Sequence, residues 1–290
     1  MENRHLSFEA IGTHWEIDIN ENISHEVFLR LSDAIHARID AFDKTYSRFR
    51  ADSLITEMSK AEGVYRFPED AELLFFLYER LFRVTKGKVT PLIGNVLADA
   101  GYDANYSFIT KTLHAPLPWE DVLEYRHPFL TLKQPVLLDF GAAGKGYLVD
   151  IIAALIEEHG VHAFVVDAGG DMINRSKEGT PLRVGLEHPE DASKVIGVLE
   201  IGNESICGSA GNRRKWNDLT HIIDPETLVS PSDITATWVV ADTAIIADAL
   251  ATCLFFTPPE LLAKEFTFEY VVMKNDHEIL RSRGLQGEFF

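Results

Sequence analysis

Cysteine is nearly missing from this sequence: Cys207 and Cys253 are the only two in 290 residues. Each lies in an apolar or small-residue run, so buried free thiols are expected rather than a disulfide, as in a reducing compartment. No CxxC or Cys/His cluster offers a zinc site. Long apolar runs are missing too. No window approaches the ~18 residues of a membrane span, and MENRHLSFEAIGTHWEIDI at the N-terminus contains no signal-peptide core. Basic residues are scarce, 27 against 45 acidic, for a formal net charge of −18. Such a surface repels nucleic acid and anionic membranes. A small anionic ligand would need local cations or a metal to offset that field. These absences together predict a cytoplasmic protein with no nucleic-acid partner and no membrane insertion.

What is present is the composition of a globular protein, 46% hydrophobic and 25% charged, long enough to bury a sizeable core. Residues 6–20 alternate as a strand with Gly12 as a bulge or close-approach point. Helical periodicity covers about 25–44, and Ser53 is placed to cap a short helix through Lys60. A helix over about 68–85 is apolar on most faces and is expected to be central. Residues 86–135 read as loops, short helices and an edge strand. A strand ending near Asp139 follows, then a glycine loop and a helix over about 145–159. The segment 163–172 reads as a buried strand turning at Gly169-Gly170. Further strands are expected near 182–187, 195–201, 234–241 and 268–274, with a helix over about 243–256. Strands and helices alternate without strict βαβ repetition, which favours mixed α+β over a doubly wound sheet.

Five stretches carry possible chemistry. In LDFGAAGKGYLVD (138–150), glycines and a helix start beside Lys145 suit a phosphate, although a tight packing turn needs the same small residues. In ADALAT (247–252), Asp248 and Thr252 are four apart on one helix face, a pair of hard oxygen donors suited to Mg2+ or simply a polar stripe. In HIIDP (221–225), His221 is either a general base or a hydrogen-bonded structural histidine. GSAGNRR (208–214) reads as a small-residue loop whose Arg213 and Arg214 either meet phosphate or stay solvated. In the GGD turn at 169–171, Asp171 either accepts from a ligand or caps the turn.

In this order, these stretches resemble the ApbE family of flavin transferases over nearly the whole chain. IGTHWEI, YSRFRADSLITEMS, GKVTPLIGNVLADAGYD, LDFGAAGKGYLVD, AFVVDAGGDM, GSAGNRRKW with THIIDPETL, and ADTAIIADALAT each resemble a family segment. The core loop, HIIDP and ADALAT are highly specific together. Ile11 stands where the family has methionine, Thr90 where it has aspartate, Ser209-Ala210-Gly211 for Thr-Ser-Gly, and Arg213 for an aromatic.

The resemblance implies one α+β domain over residues 1–290, with mixed sheets and packed helices in two lobes around a flavin cleft. It implies FAD contacts from Ile11, Phe49, Lys88, Val89, Thr90, Asp139, Lys145 and Ile223. Mg2+ would be held by the Ala142 carbonyl, Asp248 and Thr252, and His221 would be the catalytic base. The implied reaction moves FMN from FAD onto a threonine of an acceptor protein carrying a flavinylation motif, releasing AMP. Two other readings use the same residues: a Mg2+-dependent FAD pyrophosphatase, and an FAD-binding protein without turnover.

Overall fold

The computed structural model describes residues 4–290. Strands β1 (Arg4–Ala10) and β2 (Thr13–Ile19) form a hairpin. The 6–20 segment is therefore two strands, not one with a bulge. Ile11 and Gly12 both take positive φ, 46° and 77°, the mirror-image turn that suits strand twist, so the apolar alternation runs straight through the reversal. Then come α1 (His25–Tyr46), α2 (Leu54–Met58), β3 (Gly63–Arg66) and α3 (Ala71–Val84). The α3 helix is amphipathic rather than buried all round: Leu74, Phe75, Tyr78 and Leu81 are buried, while Leu73 and Phe76 are exposed.

A 3-10 turn at Pro91–Ile93 leads into α4 (Gly94–Asp99), α5 (Trp119–Val122) and the hairpin β4 (Leu123–Arg126) and β5 (Phe129–Leu132). The strand expected to end near Asp139 is absent. Residues 133–140 pair with no strand; the Leu137 amide donates to the Asn95 side chain and the Asp139 amide to the Pro91 carbonyl. After α6 (Gly144–Glu158) come β6 (Phe164–Ala168), β7 (Met172–Arg175), β8 (Leu182–His188), β9 (Asp191–Ile201) and β10 (Ser205–Ala210). The small residues 208–210 thus belong to a strand rather than a loop. The chain ends with β11 (Lys215–Trp216), β12 (Leu219–Thr220), β13 (Ile234–Ala241), α7 (Ala244–Cys253), α8 (Pro259–Leu262), β14 (Glu269–Lys274), β15 (Ile279–Arg281) and β16 (Gly287–Phe289).

Eight strands form one antiparallel sheet in the order β1-β2-β6-β7-β10-β13-β14-β15. Alternation along its strands splits two cores. Cys207, Val239 and Val272 face a large core shared with α1, α3, α6 and α7. Their neighbours Ile206, Val240 and Val271 face a second core under the small sheet β16-β9-β8. The result is an α+β layering of helices, large sheet and small sheet. Cys207 and Cys253 are both buried and unpaired. No helix is long and apolar enough to cross a membrane among the described residues.

Candidate functional site

The candidate site is built where α6 and α7 pack together against the sheet. Gly146 is needed there by space. A Cβ on it would lie 2.1 Å from the Ala244 carbonyl oxygen and 2.7 Å from the Asp248 Cβ. The close approach lets the Gly146 amide donate to Asp248 Oδ2 at 2.9 Å. One turn further along α6, Asp150 accepts from the Ala244 and Ile245 amides, both at 2.8 Å. It caps the start of α7 from outside, where Thr243 makes no side-chain cap. Asp150 is thus structural, and burial pushes its carboxyl up to about 6.

Asp248 is 2% exposed and Asp171 fully buried. Lys145 forms an ion pair with Asp171, and the Gly208 amide approaches the other Asp171 oxygen at 3.4 Å. Burial opposes the lysine's charge, but Asp171 and Asp248 outweigh it and its pKa is raised. Asp248 is raised as well, by burial and then by the Asp171 charge, with Lys145 only partly offsetting them. Two buried carboxylates against one ammonium leave this corner short of one positive charge. The Thr252 hydroxyl stands 3.5 Å from that of Ser209. An all-oxygen set with a carboxylate lacking its own cation suits a hard divalent ion such as Mg2+. No three His, Cys, Asp or Glu side chains converge on a metal site among the described residues; the expected set contains only one such side chain, so there is no conflict.

The second cluster stands on a loop and a minimal hairpin. The Lys215↔Thr220 pair closes β11 on β12, and the His221 amide donates to the Arg214 carbonyl at 3.1 Å. Arg214 and His221 are therefore neighbours flanking that hairpin. The His221 Nδ1 is buried with no hydrogen-bond partner. Burial, then the nearby Arg214 charge, hold its pKa down to about 4, so the imidazole is neutral at physiological pH.

Arg48 is 5% exposed. Its Nε donates to Asp139 Oδ2 and its Nη1 to the Tyr102 carbonyl, while Nη2 has no partner. The Gly141 amide donates to the other Asp139 oxygen at 2.7 Å.

All twelve residues implied by the family resemblance line one cleft of about 1140 Å3, a volume beyond the usual range of about 300–1,000 Å3 for drug-sized ligands. Ile11 enters through the β1–β2 turn. Phe49 stacks on Tyr106, ring centroids 5.2 Å apart and 7° from parallel. Lys88 lines the cleft with its ammonium already paired to Asp224 and Glu226. Val89 is buried, the Thr90 hydroxyl accepts from the Leu92 amide, and Ile223 packs with Leu97, Tyr102 and Trp216. Asp139, Ala142, Lys145, His221, Asp248 and Thr252 complete the wall.

Sequence reasoning missed Arg48 entirely and left Arg214 and Asp171 undecided. Their partners are remote: Arg48 meets Asp139 across 91 positions and Lys145 meets Asp171 across 26. No local pattern carried that signal.

A sequence model described as the ApbE family matches residues 11–269. The FAD:protein FMN transferase of Escherichia coli (strain K12) is 25% identical over 276 residues, covering 88% of this chain and 78% of that protein. The protein of the same name from Salmonella typhimurium is 24% identical over 299 residues, covering 93% and 84%. Among solved structures, the ApbE protein of Thermotoga maritima superposes with a TM-score of 0.83 at 19% identity over 98% of both chains. The flavin transferase ApbE of Vibrio cholerae gives 0.79 at 19% over 97% of both. These superpositions establish the α+β fold.

Proposed function

The chain belongs to the ApbE family, and from that premise we propose that it transfers FMN from FAD to a threonine side chain of an acceptor protein, releasing AMP. The observation that carries this reading is the convergence of twelve residues, spread from Ile11 to Thr252, on one cleft. That span also supports treating residues 1–290 as one functional domain. The names of the curated relatives support flavin transfer as the chemistry.

A threonine hydroxyl is a weak nucleophile until a base takes its proton. His221 offers a neutral imidazole in the cleft for that role. The threonine oxygen attacks the phosphorus on the FMN side of the pyrophosphate, and its proton passes to the imidazole. A new P–O bond forms as the bridging P–O bond to the AMP phosphate breaks, so the reaction is phosphoryl transfer. Negative charge from the bound pyrophosphate counters the Arg214 part of the depression and makes His221 more basic, with burial still acting as the larger cause. Lys145, held by Asp171, stabilises charge that builds on the phosphoryl oxygens. The Ala142 carbonyl, Asp248 and Thr252 would hold Mg2+, which when bound supplies Lewis-acid stabilisation of the leaving phosphate. Ile11, Phe49, Val89 and Ile223 give the flavin ring apolar walls, while Asp139, Thr90 and Lys88 border it with polar groups.

The test is incubation with FAD, Mg2+ and a threonine-bearing acceptor, followed by mass spectrometry of acceptor and nucleotide. The acceptor should gain one FMN group for each AMP released, and chelation should stop both. Free FMN with an unmodified acceptor means a pyrophosphatase. Bound FAD with no product means a binding protein.

A further inference from the structure

Two arginines in the cleft are not explained by the metal, the base or the flavin walls. The guanidinium carbons of Arg48 and Arg214 stand 4.6 Å and 5.3 Å from the centroid of the same ring, that of Tyr102. Arg48 is 5% exposed and still has one N–H group, at Nη2, with no acceptor. A buried donor without a partner is costly, and a charged one more so. Arg214 has no carboxylate within salt-bridge distance among the described residues; its guanidinium has one marginal contact, to the Gly12 carbonyl at 3.5 Å. Its neighbour Arg213 differs: it is exposed and paired with Glu187 at 3.2 Å. In a chain of net charge −18, two neighbouring guanidiniums that share only Asp139 form a local surplus of positive charge. An anion set between them would answer the unpaired N–H and the mutual repulsion together.

The location says which anion. Arg214 and His221 flank the β11–β12 hairpin just beyond its paired residues and are joined by the bond from the His221 amide to the Arg214 carbonyl. Both line the cleft, as does Arg48. A phosphate gripped here lies beside the imidazole. Resting on the transferase reading above, we propose that Arg214, together with the unpaired Nη2 of Arg48, forms a subsite for the pyrophosphate of FAD next to His221. Arg214 then touches the substrate and is a catalytic residue, whereas Arg213, although it also lines the cleft, is exposed and already neutralised by Glu187. The subsite takes the pyrophosphate from one side, and Asp248 and Lys145 line the same cleft.

Binding in chelator, without metal or acceptor, isolates the subsite from turnover. The probes are FAD, ADP (a pyrophosphate without flavin) and riboflavin (a flavin without phosphate). Arg214→Gln should weaken ADP and FAD about tenfold, the scale of one charge-assisted contact, and leave riboflavin within about twofold. Arg214→Lys should recover part of the loss, because charge remains but the planar fork does not. Arg213→Gln should leave all three affinities unchanged. Arg48→Lys keeps a cation for Asp139 and should weaken ADP by a smaller factor, with an unchanged melting temperature as the control for folding.

Unchanged ADP affinity in Arg214→Gln overturns the proposal, as does an equal loss of riboflavin, which would place Arg214 on the ring instead. A wild-type chain that does not bind ADP overturns it too. Arg214-dependent ADP binding by a chain that modifies no acceptor would defeat the transferase reading and leave the subsite standing. Transfer that proceeds with ADP affinity unaffected by Arg214→Gln would do the reverse.

Discussion

In one part of the cleft, Asp248 and Lys145 project from two packed helices, with Asp171 buried behind the lysine. Elsewhere in its lining, Arg48 stands on a loop, and Arg214 and His221 flank a hairpin of two-residue strands. The two groups carry opposite surpluses: two carboxylates against one ammonium in the first, two guanidiniums against Asp139 in the second. They also differ in how completely they are built. In the helical group the backbone is locked by Gly146, and Asp150 caps α7. In the hairpin group Arg48 Nη2 and His221 Nδ1 are buried without partners. The metal–pyrophosphate ligand proposed above would carry both missing charges, positive for one group and negative for the other.

The comparison breaks most completely in the helical group. Asp248→Asn keeps an acceptor for the Gly146 amide and removes only the charge. AMP release from FAD in Mg2+ should fall about 10³-fold, the several kcal/mol that Lewis-acid stabilisation supplies. Release at the wild-type rate, read by chromatography of the nucleotide, would remove Asp248 from the metal site. In the hairpin group, His221→Ala should slow transfer to a threonine acceptor by about 10²-fold, a general-base effect. FAD affinity, read by flavin fluorescence, should move by less than about threefold. A variant that transfers at full rate would locate the base elsewhere. One that loses FAD binding in the same proportion would make His221 a binding residue.

The two groups were unequally legible. Asp248 and Thr252 four apart on a helix read equally well as a polar stripe, the glycine loop as a packing turn and His221 as a structural histidine; their joint role came from the resemblance of all these segments, in order, to one family. Arg48 was invisible, because what makes it unusual is burial and an unpaired nitrogen set by residues far away in the chain. Arg213 and Arg214 are adjacent and identical in type; only the hairpin register sends one to Glu187 and the other to Tyr102. The fold errors have similar roots. The start of the 208–214 stretch reads as a loop because its residues are small, yet a Cβ at Gly208 would lie 3.0 Å from the Trp238 ring, so small residues are what a crowded central strand requires. The apolar run before Asp139 reads as a strand, but its amides find Asn95 and Pro91 in place of a neighbouring strand. Helix positions followed from local periodicity; the pairing partners of extended segments did not.

The smallest effect tests whether the two residues flanking the hairpin act on each other. His221 is held down to about 4 by burial first and by Arg214 second. An ordinary histidine titrates near 6.5, so between about 4 and 6.5 the unfolded chain binds a proton at this position that the folded protein refuses. Through this group, stability should therefore rise with pH across that window, be complete above about 6.5, and decline as pH falls toward 4. Arg214→Gln removes the second cause and leaves the first. The imidazole titration, followed by NMR and assigned with His221→Asn, should move upward but stay below 6.5, and the acid-side loss of stability should shrink with it. Arg213→Gln, one residue away and paired to Glu187, should move neither. An unshifted titration in Arg214→Gln would mean that burial alone sets the histidine, and that the guanidinium and imidazole share a hairpin without sharing a field.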